Sequence, residues 1–166
     1  MKVIINGRFL IHRVTGVERY AREILSELDK IIGPERIEMA VPPEVKDIPI
    51  YKNIEVVKVG KLHNRLWEHL SFPWYVHKNK GVSLNLCNVA PLPAPGIVCI
   101  HDVKVKATPQ YFSKKFLLWY DLLLGNATKR AKKIITVSEF SKSEIVKYFK
   151  VNPDKITVIP NAWQHY

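Results

Sequence analysis

The sequence predicts an α/β protein built on one doubly wound, mostly parallel sheet with helices on both faces. Short apolar runs alternate with longer amphipathic stretches from end to end, the order that builds strand–helix–strand units. Runs such as Ile97-Val98-Cys99-Ile100 are apolar at successive positions rather than at every second one, which suits strands covered on two sides, as in a parallel sheet. At 166 residues the chain has the length of one domain with one core.

Residues 2–6 form an apolar burst and predict the first strand, followed by a polar loop with Gly7 and Gly16. Val17, Tyr20, Ala21, Ile24, Leu25, Leu28, Ile31 and Ile32 then recur at helical spacing, with Arg19, Arg22, Glu23, Glu27 and Lys30 on the opposite face. Thr15 stands three residues before Glu18, the capping-box spacing that satisfies free N–H groups at a helix start, and Gly33-Pro34 is the stop. Strands are predicted at 37–41 and 54–59, separated by a long loop with Pro42, Pro43 and Pro49. Residues 64–78 form a helical or irregular stretch rich in aromatics, and 82–86 is apolar enough for a buried strand. Pro91, Pro93, Pro95 and Gly96 force a connection before a strand at 97–100. His101-Asp102 opens a Lys-rich loop; a helix over 114–131, a strand over 134–137, a helix over 140–149 and a last strand over 156–159 complete the pattern.

Composition narrows the function classes. With 47% hydrophobic and 25% charged residues, the chain is a soluble globular type and neither disordered nor a disulfide scaffold. The 26 Lys and Arg against 15 Asp and Glu, formally +11, point to an anionic partner or to a solvated basic surface. The basic residues are dispersed, and no helix-turn-helix, zinc-finger or RNA-binding motif is present, so nucleic acid is not the expected partner. Cys87 and Cys99 are too few for a disulfide framework and lack zinc-site spacing; they are expected as small buried thiols in a reducing compartment, with no metal site. No signal-peptide pattern and no run of about 18 apolar residues is found, so a cytoplasmic location, peripheral to a membrane at most, is expected.

Ligands of open parallel sheets bind outside the carboxyl ends of the strands, so the residues that follow strands form the candidate site. They are Asn6, Gly7 and Arg8; Asn85 and Asn88; His101 and Asp102; Ser138 and Glu139; and Asn161. Gly16 opens the first helix, where free N–H groups and the helix dipole favour an anion such as a diphosphate, unless it merely serves the turn. Neither GxGxxG nor GxxxxGK[ST] occurs. His101 beside Asp102 can orient, donate to and accept from a sugar hydroxyl or phosphate, or can simply cap the following loop. Asp102 could also serve as a general base, although adjacent residues on an extended segment tend to point opposite ways.

The run Ile135-Thr136-Val137-Ser138-Glu139-Phe140-Ser141-Lys142-Ser143-Glu144-Ile145, followed by Lys155-Ile156-Thr157-Val158-Ile159-Pro160-Asn161-Ala162, resembles the end of the N-terminal domain of GT4-type glycosyltransferases of the GT-B fold. Upstream, Asn6-Gly7-Arg8 and Thr15-Gly16-Val17-Glu18-Arg19-Tyr20 resemble that family's first strand, glycine loop and first helix, and His101-Asp102 falls at its HD-type motif. The pieces occur in order and cover nearly the whole chain.

The resemblance implies one Rossmann-like half of a GT-B enzyme: residues 1–160 as the N-terminal acceptor-binding domain, 161–166 as the start of an interdomain linker, and the C-terminal donor-binding domain absent. It implies transfer, with retention at the anomeric carbon, from a nucleotide-sugar donor to a glycan or lipid-linked acceptor, with the nucleotide sugar as substrate and no cofactor or metal. By position, Gly16 would meet the donor diphosphate, His101 the donor sugar near the reaction centre, and Asp102 or Ser138 the acceptor side. Arg65-Leu66-Trp67-Glu68-His69 resembles an acceptor-side segment, making Glu68 a candidate for an acceptor hydroxyl, while Leu66 and Trp67 are expected in the core. Arg8, Glu68, Asn85 and Ser138 form the acceptor-side set, and His101 and Asp102 the catalytic pair.

Catalysis in a two-walled cleft depends on aligning donor and acceptor and stabilising the leaving diphosphate, so this chain alone is expected to be inactive. The alternative is a non-catalytic acceptor-binding module, or one half of a split transferase that needs a partner chain. Lys104, Lys106, Lys114 and Lys115, flanking Tyr111, Phe112, Phe116, Leu117, Trp119 and Tyr120, suit an anionic membrane surface at the inner face. The competing expectation places Phe116, Leu117 and Tyr120 on the buried face of a helix.

Overall fold

The strands form where the apolar runs predict them: β1 (Lys2–Asn6), β2 (Ile37–Val41), β3 (Glu55–Lys58), β4 (Gly81–Asn85), β5 (Ile97–Cys99), β6 (Lys133–Thr136) and β7 (Ile156–Val158). In the computed structural model, which describes residues 2–33 and 37–161, all seven pair in parallel in the order β3-β2-β1-β4-β5-β6-β7. The chain winds outward from β1 to β3, then returns to β1's other side and winds outward again. This is the doubly wound α/β sheet that the sequence predicts.

Helices cover both faces. The first, α1 (Gly16–Ile31), starts at the predicted cap, where Glu18 accepts bonds from the Thr15 backbone N–H at 3.0 Å and from the Thr15 hydroxyl. It packs Ala21 and Leu25 against Ile5, Met39 and Cys99 of the sheet. Asp29, on the same helix, receives the backbone N–H groups of Lys52, Asn53 and Ile54 at 2.7–2.9 Å, which fixes the Pro-rich loop ahead of β3. Ile31 is exposed, while Leu28 and Ile32 pack against the core, so of the last turn's apolar residues only Ile31 departs from the stripe. The Pro34 part of the predicted stop, and most of the expected linker, lie outside the described residues.

Residues 64–78 form one helical run: α2 (Asn64–Leu66), a π-helical turn (Trp67–Ser71) and α3 (Phe72–Lys78). Trp67 anchors it. The indole is fully buried, donates to the Val59 carbonyl at 2.7 Å and stacks on Phe72 with centroids 5.3 Å apart. Leu66, expected in the core, is instead 61% exposed; one residue along a helix is a rotation of about 100°, which turns it out when Trp67 faces in.

The Lys-rich segment after Asp102 is more ordered than the loop expected there: α4 (Lys104–Ala107) and a 3-10 turn over Pro109–Tyr111 precede α5 (Lys114–Arg130). Ser113 caps α5, and its buried face is Leu123, Leu124, Ala127 and Thr128. Phe116 is exposed and Leu117 half-buried, while Tyr120, also half-buried, packs against the core, so of the three only Tyr120 lies toward the core face. The last helix, α6 (Glu139–Phe149), sends Ile145 into the core of β5, β6 and β7.

Candidate functional site

The winding direction reverses between β1 and β4, and in open α/β sheets the crevice at such a switch is the place for a ligand. A cleft opens there. Its inner part, about 220 Å³, is lined by Asn6, Arg8, His12, Glu18, Glu68, Asn85 and Cys87 among others. An adjoining outer part, about 350 Å³, shares Arg8, His12, Glu18 and Glu68 and adds Arg65, His69 and an aromatic wall of Phe116, Trp119 and Tyr120.

The inner floor is a directed hydrogen-bond chain. Asn85, 0% exposed, donates its amide to the Pro95 and Ile97 carbonyls at 2.8 and 3.2 Å and to Ser83 Oγ at 3.2 Å. Carbonyls only accept, so Asn85 Oδ1 must face the other way. It accepts from Asn6 Nδ2 at 3.0 Å, and the same nitrogen donates to Glu68 Oε1 at 3.0 Å. Asn6 Oδ1 in turn accepts the Arg8 backbone N–H at 3.1 Å, starting the 3-10 turn Gly7–Ile11. That turn leaves the sheet flush against β2: a Cβ on Gly7 would fall 2.6 Å from Val41 Cγ1 and 2.8 Å from the Ala40 oxygen. The tight exit swings Arg8 back over the cleft, where its guanidinium meets Glu68 Oε2 at 3.3 Å. Glu68, 3% exposed, is therefore held by Asn6 on one oxygen and Arg8 on the other.

At the cleft mouth, Gly16 is the first residue of α1. A Cβ there would meet nothing within 4 Å, and its φ is not in the left-handed region, so neither packing nor the turn requires glycine. Burial works against charge on Glu18, but its bonds to Thr15 prevail and hold the carboxyl below its ordinary range. His12 and His69 are both held below the ordinary imidazole range. Burial is the main cause for each; Arg8 reinforces it for His12, and Arg8 and Arg65 do so for His69 against the opposing pull of Glu68.

Of the predicted site residues, the fold brings Arg8, Glu68 and Asn85 together and sets Gly16 at the rim. His101, 9% exposed, lies beneath α1, edge-on to Tyr20 at 4.6 Å, with its backbone N–H donated to Asn88 at 2.7 Å. Its Nε2 contacts the Leu86 carbonyl at 2.8 Å and must be the donor; the lone pair is then on Nδ1. Burial lowers its pKa, with the Leu86 bond and Asp102 pulling the other way. Asp102 is exposed and accepts the Lys104 N–H, the first of α4, at 2.9 Å, whereas His101 is buried. Ser138 caps α6 by accepting the Ser141 N–H at 3.0 Å and does not line the cleft.

Sequence reasoning did not single out His12, His69, Arg65 or the cleft-facing role of Trp119. His69 directly follows Glu68 in the acceptor-like run, and that adjacency was the available signal. Trp119 looked like a surface aromatic, yet the Arg65 guanidinium lies 5.3 Å from its ring centroid and His69 packs edge-on at 6.0 Å. Cys99 is buried and Cys87 half-buried, both free; burial pushes the Cys99 thiol up to about 12 and raises that of Cys87 as well. Among the described residues no three His, Cys, Asp or Glu side chains converge, and no helix is long and apolar enough to cross a membrane.

The family model described as Glycosyltransferase Family 4 matches residues 14–163, almost the whole chain. This chain belongs to Glycosyltransferase Family 4. Two similar proteins are the O-antigen chain mannosyltransferase RfbU of Salmonella typhimurium, 29% identical over 111 residues, and the O-antigen chain mannosyltransferase B of Escherichia coli, 33% identical over 60. These alignments cover 63% and 36% of this chain but 31% and 16% of the relatives, so this family 4 chain matches a third or less of their length. Among solved structures, WaaG, a glycosyltransferase involved in lipopolysaccharide biosynthesis, superposes with a TM-score of 0.67 at 13% identity, over 98% of this chain and 45% of WaaG. That likeness establishes the shared Rossmann-like GT-B architecture.

Proposed function

We propose that this chain is the acceptor-side half of a retaining glycosyltransferase that moves a sugar from a nucleotide-sugar donor to a glycan or lipid-linked acceptor in surface-polysaccharide synthesis. The observation that carries the reading is the cleft at the β1/β4 switch, floored by the Asn6–Asn85–Glu68–Arg8 chain. A carboxylate fixed on both oxygens at a cleft floor suits an acceptor hydroxyl, because it accepts that bond without having to reorganise. The names of the two mannosyltransferase relatives favour a mannose donor and an O-antigen-type acceptor.

In this reading Gly16 gives the donor diphosphate close access to the first N–H groups of α1. His101 Nδ1 accepts a hydroxyl of the donor sugar, and Asn85 holds Asn6 in place rather than touching sugar. Asp102 and Ser138, held at the starts of α4 and α6, do not line the cleft and make no acceptor contact in this reading. The donor-binding wall comes from a second domain or a partner chain. Exposed Leu66, Leu70 and Trp74, at four-residue spacing, and exposed Leu118 and Leu122 on α5, near Lys114 and Lys115, support docking at the inner face of an anionic membrane.

The test is transfer of labelled sugar from a panel of nucleotide sugars to a membrane lipid extract, comparing this chain alone with this chain joined to a donor-binding half. Turnover only by the joined protein is the expected result, and robust turnover by the chain alone would overturn the half-site reading. Failure of both, with retained binding of acceptor glycan, would favour a non-catalytic acceptor-binding module.

A further inference from the structure

Four buried side-chain polar atoms have no partner among the described residues: Arg8 Nε, Arg22 Nε, Glu38 Oε1 and His69 Nε2. Two of the four, Arg8 Nε and His69 Nε2, belong to residues that line the outer cavity. Buried donors are almost always bonded, since an unmet one gives up its bond to water and gains nothing in return. The His69 proton is fixed on Nε2, because Nδ1 accepts the Leu92 backbone N–H at 3.3 Å. Both atoms are thus donors waiting for an acceptor.

The charges around them say which acceptor. Glu68 is already held by Asn6 and Arg8, and Glu18 by Thr15. Arg65 makes no ion pair among the described residues and lies over Trp119, on the same wall. The carboxylates of the cavity are therefore satisfied, while two N–H donors and one guanidinium are not. We propose that the outer cavity is an oxyanion subsite, in which Arg8 Nε–H, His69 Nε2–H and Arg65 take a phosphate or carboxylate carried by the acceptor while Trp119 covers the apolar face of the adjoining sugar. The inference rests on reading the cleft as the acceptor side, and it adds that the acceptor is anionic next to the sugar that is extended.

The test is an NMR titration of the ¹⁵N-labelled chain with glucose 1-phosphate, glucuronate and neutral methyl mannoside, following the His69 and Arg8 side-chain N–H resonances. Those two resonances distinguish this subsite from any anion bound at the start of α1. Saturable shifts with one or both anions, and at least tenfold weaker binding of methyl mannoside, are expected; which anion binds identifies the phosphate or carboxylate source. Arg65→Gln, at an exposed position, should weaken the anions at least threefold with the fold intact, and His69→Gln should do so more strongly. Equal binding of neutral and anionic sugars would overturn the oxyanion subsite and leave the acceptor reading standing. No binding by any probe would overturn both.

Discussion

The two halves of the sheet's carboxyl edge use their polar residues differently. Beyond β5 and β6, the hydroxyls bond mainly to backbone: Thr136 donates to the Ile100 carbonyl at 2.7 Å, Ser141 to the His101 carbonyl at 2.8 Å, and Ser138 accepts the Ser141 N–H while donating to Ser141 Oγ. Beyond β1 and β4, Asn6, Asn85, Glu68 and Arg8 bond to one another across up to 79 positions of sequence, and Arg8 and His69 keep donors unmet among the described residues. Polar groups closed on backbone stabilise a fold. Polar groups closed on each other, with capacity left over, make a site.

The largest effect is expected at the anchor of the site half. Trp67→Ala should cost about 3–5 kcal/mol in denaturant unfolding, since it empties a fully buried site and frees the Val59 carbonyl. A loss under about 1 kcal/mol would mean the π-turn is held from elsewhere.

Next comes a matched pair across the two halves. Asn85→Leu strands the Pro95 and Ile97 carbonyls and loosens Asn6, and should cost about 2–3 kcal/mol; Thr136→Val removes a single hydroxyl bond and should cost about 1 kcal/mol. Equal costs would dissolve the contrast between networked and locally closed polar groups.

Acid should expose the imidazoles. His12, His69 and His101 all have folded pKa values below the ordinary 6.5, through burial first. Above pH 6.5 folded and unfolded chains are both neutral at these sites, so the shift has no effect there. Below it the unfolded chain takes up protons that the folded chain resists, and stability falls as pH drops toward 5. His69→Gln should flatten the slope of unfolding free energy against pH over that window; an unchanged slope would mean His69 already protonates freely. Below about pH 4 a second decline is expected as Asp29, Glu18 and Glu44 lose their depressed carboxylates, which N–H and hydroxyl bonds hold low against burial.

The smallest stability effect, and the sharpest for function, is at Gly16. A Cβ there meets open space, so Gly16→Ala should leave stability unchanged or raised by up to about 1 kcal/mol. Transfer by the protein joined to its donor half should nonetheless fall at least tenfold if the diphosphate approaches that N-terminus. Full activity would make Gly16 an ordinary first residue of α1 with no part in donor binding.

Element type and order were legible in the sequence because a buried parallel strand and an amphipathic helix leave unlike periodicities. β1 and β2 match the predicted ranges, and α1 begins at its predicted cap. The short α4 was not legible, since four residues with two lysines carry no period. Within the site, Arg8, Glu68 and Asn85 were named from position and resemblance, while His12 and His69 needed the tertiary structure: the cleft they line is built by residues far away in the chain.

By itself the sequence determined the doubly wound α/β class, the capped first helix and the family, since these rest on local periodicity, cap spacing and motif order. Only the tertiary structure decided that strand order reverses between β1 and β4, that Asn85 holds Asn6 while Glu68 faces Arg8, and that Ser138 caps a helix instead of lining the cleft. The physical reason is range. A cap or an apolar stripe is settled within one or two turns of chain, whereas a hydrogen-bonded cleft floor exists only once segments 62 and 79 positions apart have been brought to one edge of the sheet.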